Sequence, residues 1–113
     1  MRLREVCEAL SLGVFCEGGD LDQEVSGGFA SDLMSDAIAH ANAGDLWVTL
    51  QVHVNVVAIA TMKDVAAVVL TQGRQPQPET LQKAEAEGVA ILGSDLPAFE
   101  LIGRLYELGI RGS

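Results

Sequence analysis

Basic residues are scarce in this chain. Seven lysines and arginines stand against sixteen aspartates and glutamates, a formal net charge of -9 at pH 7. That balance excludes a nucleic-acid binder, which needs a basic stripe to neutralise phosphates, and disfavours an anionic membrane surface. Cysteine is nearly absent: Cys7 and Cys16 make no disulfide framework and no CxxC. There is no HExxH, no Walker loop, no GxGxxG and no nucleophile elbow. No catalytic set, cofactor or metal is therefore expected, and the chain reads as a non-enzyme. A membrane span needs roughly 20 predominantly apolar residues, and Leu46–Met62 is broken by Thr49, Gln51, His53, Asn55 and Thr61. Met1–Val6 lacks an apolar run behind its basic residues, so no export signal is expected. A cytoplasmic setting with reduced thiols follows.

What is present is a core. Of 113 residues, 49% are hydrophobic, enough for one domain over residues 1–113 without staples. Leu46–Leu70 is the most apolar stretch, with Lys63 and Asp64 its only charged residues. Strict alternation from Leu46 to Val56 would suit one long half-buried strand. We favour strand Leu46–Leu50, a loop at Gln51–Val54, a helix over Asn55–Lys63 started by Asn55, and strand Ala66–Leu70. That reading leaves room for a crossover between two parallel strands.

The flanks fit around this unit. Leu3, Val6, Cys7 and Leu10 share one helical face. Gly13 is the expected stop, and Phe15–Asp22 reads as loop. Glu24–Phe29 is a short strand weakened by Gly27 and Gly28. Ser31 and Asp32 suit a helix start, and Gly44 the exit. Pro78, the Glu79–Lys83 pair and Gly88 frame another helix. Val89–Leu92 is the next strand. Asp95 and Pro97 open a last helix that carries the Glu100–Arg104 pair. Helices alternating with strands predict an α/β fold with a mainly parallel four-stranded sheet and flanking helices.

Ligands of open α/β sheets bind beyond the carboxyl ends of the strands. Four loops qualify: 27–32, 51–55, 71–76 and 93–95. In the first, Gly28, Ser31 and Asp32 could cradle an anion or simply make a tight turn into a capped helix. In the second, His53 beside Asn55 could be an acid/base or a ligand contact, or an outward polar residue. In the third, Thr71, Gly73 and Arg74 offer a hydroxyl, a backbone amide and a guanidinium for a carboxylate or phosphate, unless Arg74 only faces solvent. Ser94 and Asp95 read as capping. His40, spaced four and eight residues from Asp36 and Asp32, reads as a solvated face rather than a metal site. Cys7 reads as a small hydrophobe.

Ser31–Asp36 followed by Gly44–Asp45–Leu46, then Val68–Gly73 with Pro76, resembles a DRTGG domain. Ala84–Glu85, Gly88–Leu92, Phe99–Glu100 and Gly103–Tyr106 extend the likeness over nearly the whole chain. The resemblance implies a fold similar to the N-terminal domain of HPr kinase/phosphorylase. It also implies a regulatory, dimer-forming role without the kinase activity. Two departures stand out. No Asp-Arg pair occurs in residues 51–55, and Thr71-Gln72-Gly73 replaces Thr-Gly-Gly. The leading expectation is a regulatory homodimer that binds a small anionic or nucleotide-like ligand. The alternatives are a small enzyme using His53 and Arg74 on a phosphorylated or carboxylated metabolite, and a pure protein-interaction subunit.

Overall fold

A buried strand pair sets the architecture of the computed structural model, which describes residues 1–112. Every residue of β3 (Asp45–Thr49) and of β4 (Ala67–Leu70) is buried. Such strands need cover on both faces. Leu46 and Val48 point into one core, and Trp47 into the other. The same alternation separates Ala67 and Val69 from Val68 and Leu70.

Between the two strands, α3 (Asn55–Lys63) makes the crossover. The chain leaves the sheet after Thr49, so no continuous ribbon runs from Trp47 to Val56. Asn55 is the first helical residue rather than the cap; Val54 precedes it in helical geometry. The remaining elements are α1 (Leu3–Leu10), β1 (Gly13–Cys16), β2 (Gly27–Ala30), α2 (Met34–His40), α4 (Pro78–Glu87), β5 (Ile91–Gly93) and α5 (Ala98–Glu107).

The sheet has five strands in the order β1-β5-β4-β3-β2. Strands β2 to β5 are parallel neighbours, and β1 runs antiparallel to β5. The expected four-stranded sheet is thus corrected to a mixed five-stranded one. The overlooked strand is short, lies on an edge and exposes Val14, so it lacks the buried apolar run of its neighbours. It also displaces the expected helix stop: α1 ends at Ser11, in left-handed geometry, and Gly13 already belongs to β1.

From β2 to β5 each parallel strand lies beside the one before it. Right-handed crossovers that keep stepping the same way stack their helices on one face. Accordingly α2, α3 and α4 contribute Ala37, Val56, Val57, Ile59, Ala60 and Ala84 to one core. The other core receives Leu3 and Val6 of α1 with Leu101 and Leu105 of α5. Among the described residues no helix is long and apolar enough to cross a membrane.

Two local pairings differ from expectation. On α4 Lys83 joins Glu87 at 3.3 Å, one turn later than the Glu79–Lys83 pair. On α5 Pro97 is the N-cap and Asp95 stands outside the helix, while Glu100–Arg104 forms at 3.2 Å as its spacing suggests.

Candidate functional site

Because four strands point the same way, their carboxyl ends share one rim. Two cavities open on it, one on each side of the turn that follows β4.

That turn is Thr71–Arg74. Gln72 and Gly73 both have left-handed backbones, φ 58° and 68°, and the Arg74 N–H closes on the Thr71 carbonyl at 3.1 Å. Two successive left-handed residues make the tight turn of the I′ kind, which favours glycine. Its other amides are taken: Gln72 donates to the Leu96 carbonyl and Gly73 to that of Ser94, each at 2.9 Å. Gly73 therefore presents no free amide to an anion. Its lack of a side chain matters instead, since a Cβ there would stand 3.3 Å from Asp95 Oδ1.

On one side lies a cavity of about 180 Å3 between the ends of β2, β3 and β4, lined by Ser31, Asp32, Thr49, Leu50 and Thr71 among others. Asp32 Oδ1 accepts the Thr49 hydroxyl at 2.9 Å and the Leu50 N–H at 2.7 Å. Gln51 Nε2 returns to the Asp32 carbonyl at 2.8 Å. Ser31 Oγ accepts the Leu33 N–H at 3.1 Å, and the Ser31 carbonyl accepts Trp47 Nε1 at 2.9 Å. Helix α2 consequently begins three residues after Ser31, at Met34. Thr71 is fully buried, and its hydroxyl has no hydrogen-bond partner among the described residues.

On the other side a polar cavity of about 300 Å3 is lined by Ser11, Gly13 and Phe15, by Gly73–Gln75 and by Gly93–Asp95. The Phe15 ring lies on the backbone of Gly93, where a Cβ would stand 2.6 Å from Cε2. Arg74 is exposed, and its guanidinium has no partner among the described residues. Lining this cavity beside Asp95, it is the one cation there.

The expected site residues divide. Ser31, Asp32 and Thr71 meet in the first cavity; Gly73 and Arg74 line the second. Gly28 lies within β2, where its N–H donates to the Arg111 carbonyl at 2.8 Å, so it makes no anion cradle with Ser31 and Asp32. His53 and Asn55 also stand apart. His53 Nδ1 accepts the Asn55 N–H at 3.1 Å and so starts α3. Their loop is fastened to α4, because Thr80 Oγ1 donates to the Val52 carbonyl at 2.7 Å. Neither residue lines the Arg74 cavity. His40 Nδ1 meets Asp36 at 2.9 Å on an exposed face, while Asp32 turns toward Thr49. The Ser31 hydroxyl, and after it His40, hold the Asp36 carboxyl below its ordinary range. Among the described residues no group of three His, Cys, Asp or Glu could hold a metal ion. Ser11, Gly13 and Phe15 were not foreseen, since they reach the rim only through the antiparallel β1; Thr49 and Leu50 could have been found from their place at the end of the central strand.

A separate apolar groove lies under α5, with Phe29, Val48, Ile102, Leu105, Tyr106 and Ile110 in its walls. The outer face of α5 shows Phe99 at 93% exposure, with Tyr106 at 51%. The Arg111 guanidinium covers the Tyr106 ring, 4.1 Å from its centre.

A crystal structure of the CBS and DRTGG domains of the regulatory region of Clostridium perfringens pyrophosphatase superposes with a TM-score of 0.78 at 14% identity, over 97% of the present chain. The fold is DRTGG-like. The present chain spans about half of that crystallised region, 47% of its length. The pyrophosphatase region was crystallised with its activator, diadenosine tetraphosphate. No protein-family model matches the chain, and no curated protein matches it by sequence.

Proposed function

We propose that this DRTGG-like domain, spanning residues 1–113, is a non-catalytic regulatory module of the cytoplasm. It senses a small anionic or nucleotide-like ligand at the rim and acts as a homodimer. The observation that carries the ligand is the Arg74 guanidinium, unpaired among the described residues and set beside a polar cavity. A planar fork of N–H donors suits a carboxylate or phosphate. The pyrophosphatase regulatory region with its nucleotide activator supports the same reading by likeness of fold. The dimer rests on the exposed apolar face of α5, since large uncovered apolar patches mark association surfaces. The cytoplasmic setting rests on two free thiols.

A thermal-shift series with nucleotides and phosphorylated metabolites tests the ligand, because a molecule that binds only the folded chain raises Tm. A raised Tm that Arg74→Gln abolishes is the expected result. No shift with any phosphate or carboxylate compound would leave the second reading, a protein-interaction subunit, which the α5 face favours. Turnover through His53 and Arg74 finds no support in their arrangement, since His53 is engaged with Asn55 and stands outside the Arg74 cavity.

A further inference from the structure

We infer that the rim takes a ligand with one phosphate at one end and hydroxyl groups at the other: a phosphomonoester of a sugar or nucleoside, not a polyphosphate. The inference deepens, and rests on, the ligand-sensing reading.

The rim is chemically two-sided. Around Asp32 it accepts protons. Both protein hydrogen bonds to that carboxylate fall on Oδ1, which leaves Oδ2 without a partner among the described residues. The Leu50 amide, which could otherwise meet an anion here, is already held by Asp32. The buried, unpartnered Thr71 hydroxyl lines the same cavity and can pair with an incoming hydroxyl as donor or acceptor once the wall yields to it. An anion entering this half would face a carboxylate, whereas hydroxyls would find acceptors.

Beyond the Thr71–Arg74 turn the sign changes. Arg74 offers a fork that matches a single phosphate. Nothing around it extends that capacity. The amides of Gln72, Gly73 and Arg74 all go to carbonyls, so the turn makes no nest of free N–H groups. Asp95 lines the same cavity. On a chain of net charge -9 further phosphates would meet repulsion instead of neutralisation. The cavities flank β4, one against β3 and the other against β5. Neighbouring strands are about 4.8 Å apart, so the two halves are separated by on the order of 10 Å. A phosphorylated pentose or a nucleoside monophosphate spans that gap. Diadenosine tetraphosphate, the activator of the pyrophosphatase region, carries four phosphates and calls for more cations than this rim supplies.

Isothermal titration of the full chain tests the inference with adenosine monophosphate, ribose 5-phosphate, adenosine, inorganic phosphate and adenosine triphosphate. The phosphomonoesters should bind about tenfold or more tighter than adenosine, phosphate or the triphosphate, the gain from one charge-assisted contact. Preference for the monophosphate over ribose 5-phosphate assigns a nucleoside, and equal binding a sugar phosphate. Arg74→Gln, at an exposed position that folding tolerates, should bring the monophosphate down to the affinity of adenosine. Asp32→Asn should weaken the hydroxylated ligands and leave inorganic phosphate unchanged. Triphosphate binding as tight as monophosphate binding, or an unaltered Arg74→Gln, overturns the inference while the ligand-sensing reading stands. Failure of all five ligands overturns both.

Discussion

Asp32 Oδ1 and Thr49 Oγ1 meet at 2.9 Å and buckle the end of β2 to the end of β3. The same oxygen holds the Leu50 amide at 2.7 Å, so one carboxylate fixes both the edge strand and the exit from the central one. Thr49 is buried and also accepts the Gln51 N–H at 3.1 Å. Thr49→Val should therefore lower unfolding free energy by about 1–3 kcal/mol, the cost of leaving buried partners unmatched. Urea denaturation followed by the fluorescence of Trp47, the one tryptophan, measures it.

The turn after β4 carries a conformational load that glycine would relieve. Gln72→Gly should stabilise the fold by roughly 0.5 kcal/mol, because relief of left-handed strain of about 1–2 kcal/mol exceeds the entropy cost of the new glycine. Gly73→Ala should destabilise by about 1–2 kcal/mol, with its methyl pressed toward Asp95. Opposite shifts in Tm are the outcome to check.

Cys7 is half-covered, and burial pushes its thiol above the ordinary cysteine range. Thiolate is the reactive form. At pH 7 Cys7 and the buried Cys16 should react with a disulfide reagent far more slowly than a free cysteine, and both should react at once in denaturant. Rapid native-state labelling of either would contradict this placement.

Arg4 Nε meets Asp22 Oδ1 at 2.9 Å on the surface. This hydrogen bond, then the charge of Arg4, lowers the Asp22 pKa. A depressed carboxyl contributes stability above its unfolded value, near 3.8. The contribution is lost as pH falls through the lower folded value. Asp22→Asn should therefore be slightly less stable than the wild type by a constant amount between pH 5 and 8, and the gap should close below about pH 4. Salt should blunt the difference, since both groups face solvent.

The α5 face makes the association reading testable. Phe99 is 93% exposed, so Phe99→Glu should leave the far-UV circular dichroism of the chain unchanged while shifting the light-scattering mass from dimer to monomer. A wild-type chain that stays monomeric at high concentration would remove the dimer from the proposal.

Much of this was legible in the residue pattern, for physical reasons. The helix from Asn55 to Lys63 keeps its bounds because Val56, Val57, Ile59 and Ala60 are buried against the sheet face that carries Trp47, Val68 and Leu70. Leu3 and Val6 are buried on α1 as their spacing implies. The misses come from chemistry that local patterns do not carry. Gly13–Cys16 is a strand through its long-range antiparallel pairing with β5, which no local pattern shows. Ser31 and Asp32 look like helix caps, but Asp32 turns to the strand end seventeen positions along the chain, at Thr49, and the helix waits for Met34. At the rim, Arg74 was visible as a loop cation, while its neighbour Phe15 arrives from the overlooked strand.

The antiparallel edge has a kinetic consequence. Every parallel pairing joins strands that follow one another in the chain, so each can form soon after its crossover helix. Only β1 must wait for β5, the pairing with the longest loop to close. Ser11, Gly13 and Phe15 come with it, so the Arg74 cavity is incomplete until that strand pairing forms. A molecule lodged there clasps the first strand to the last and slows the step by which the sheet begins to come undone.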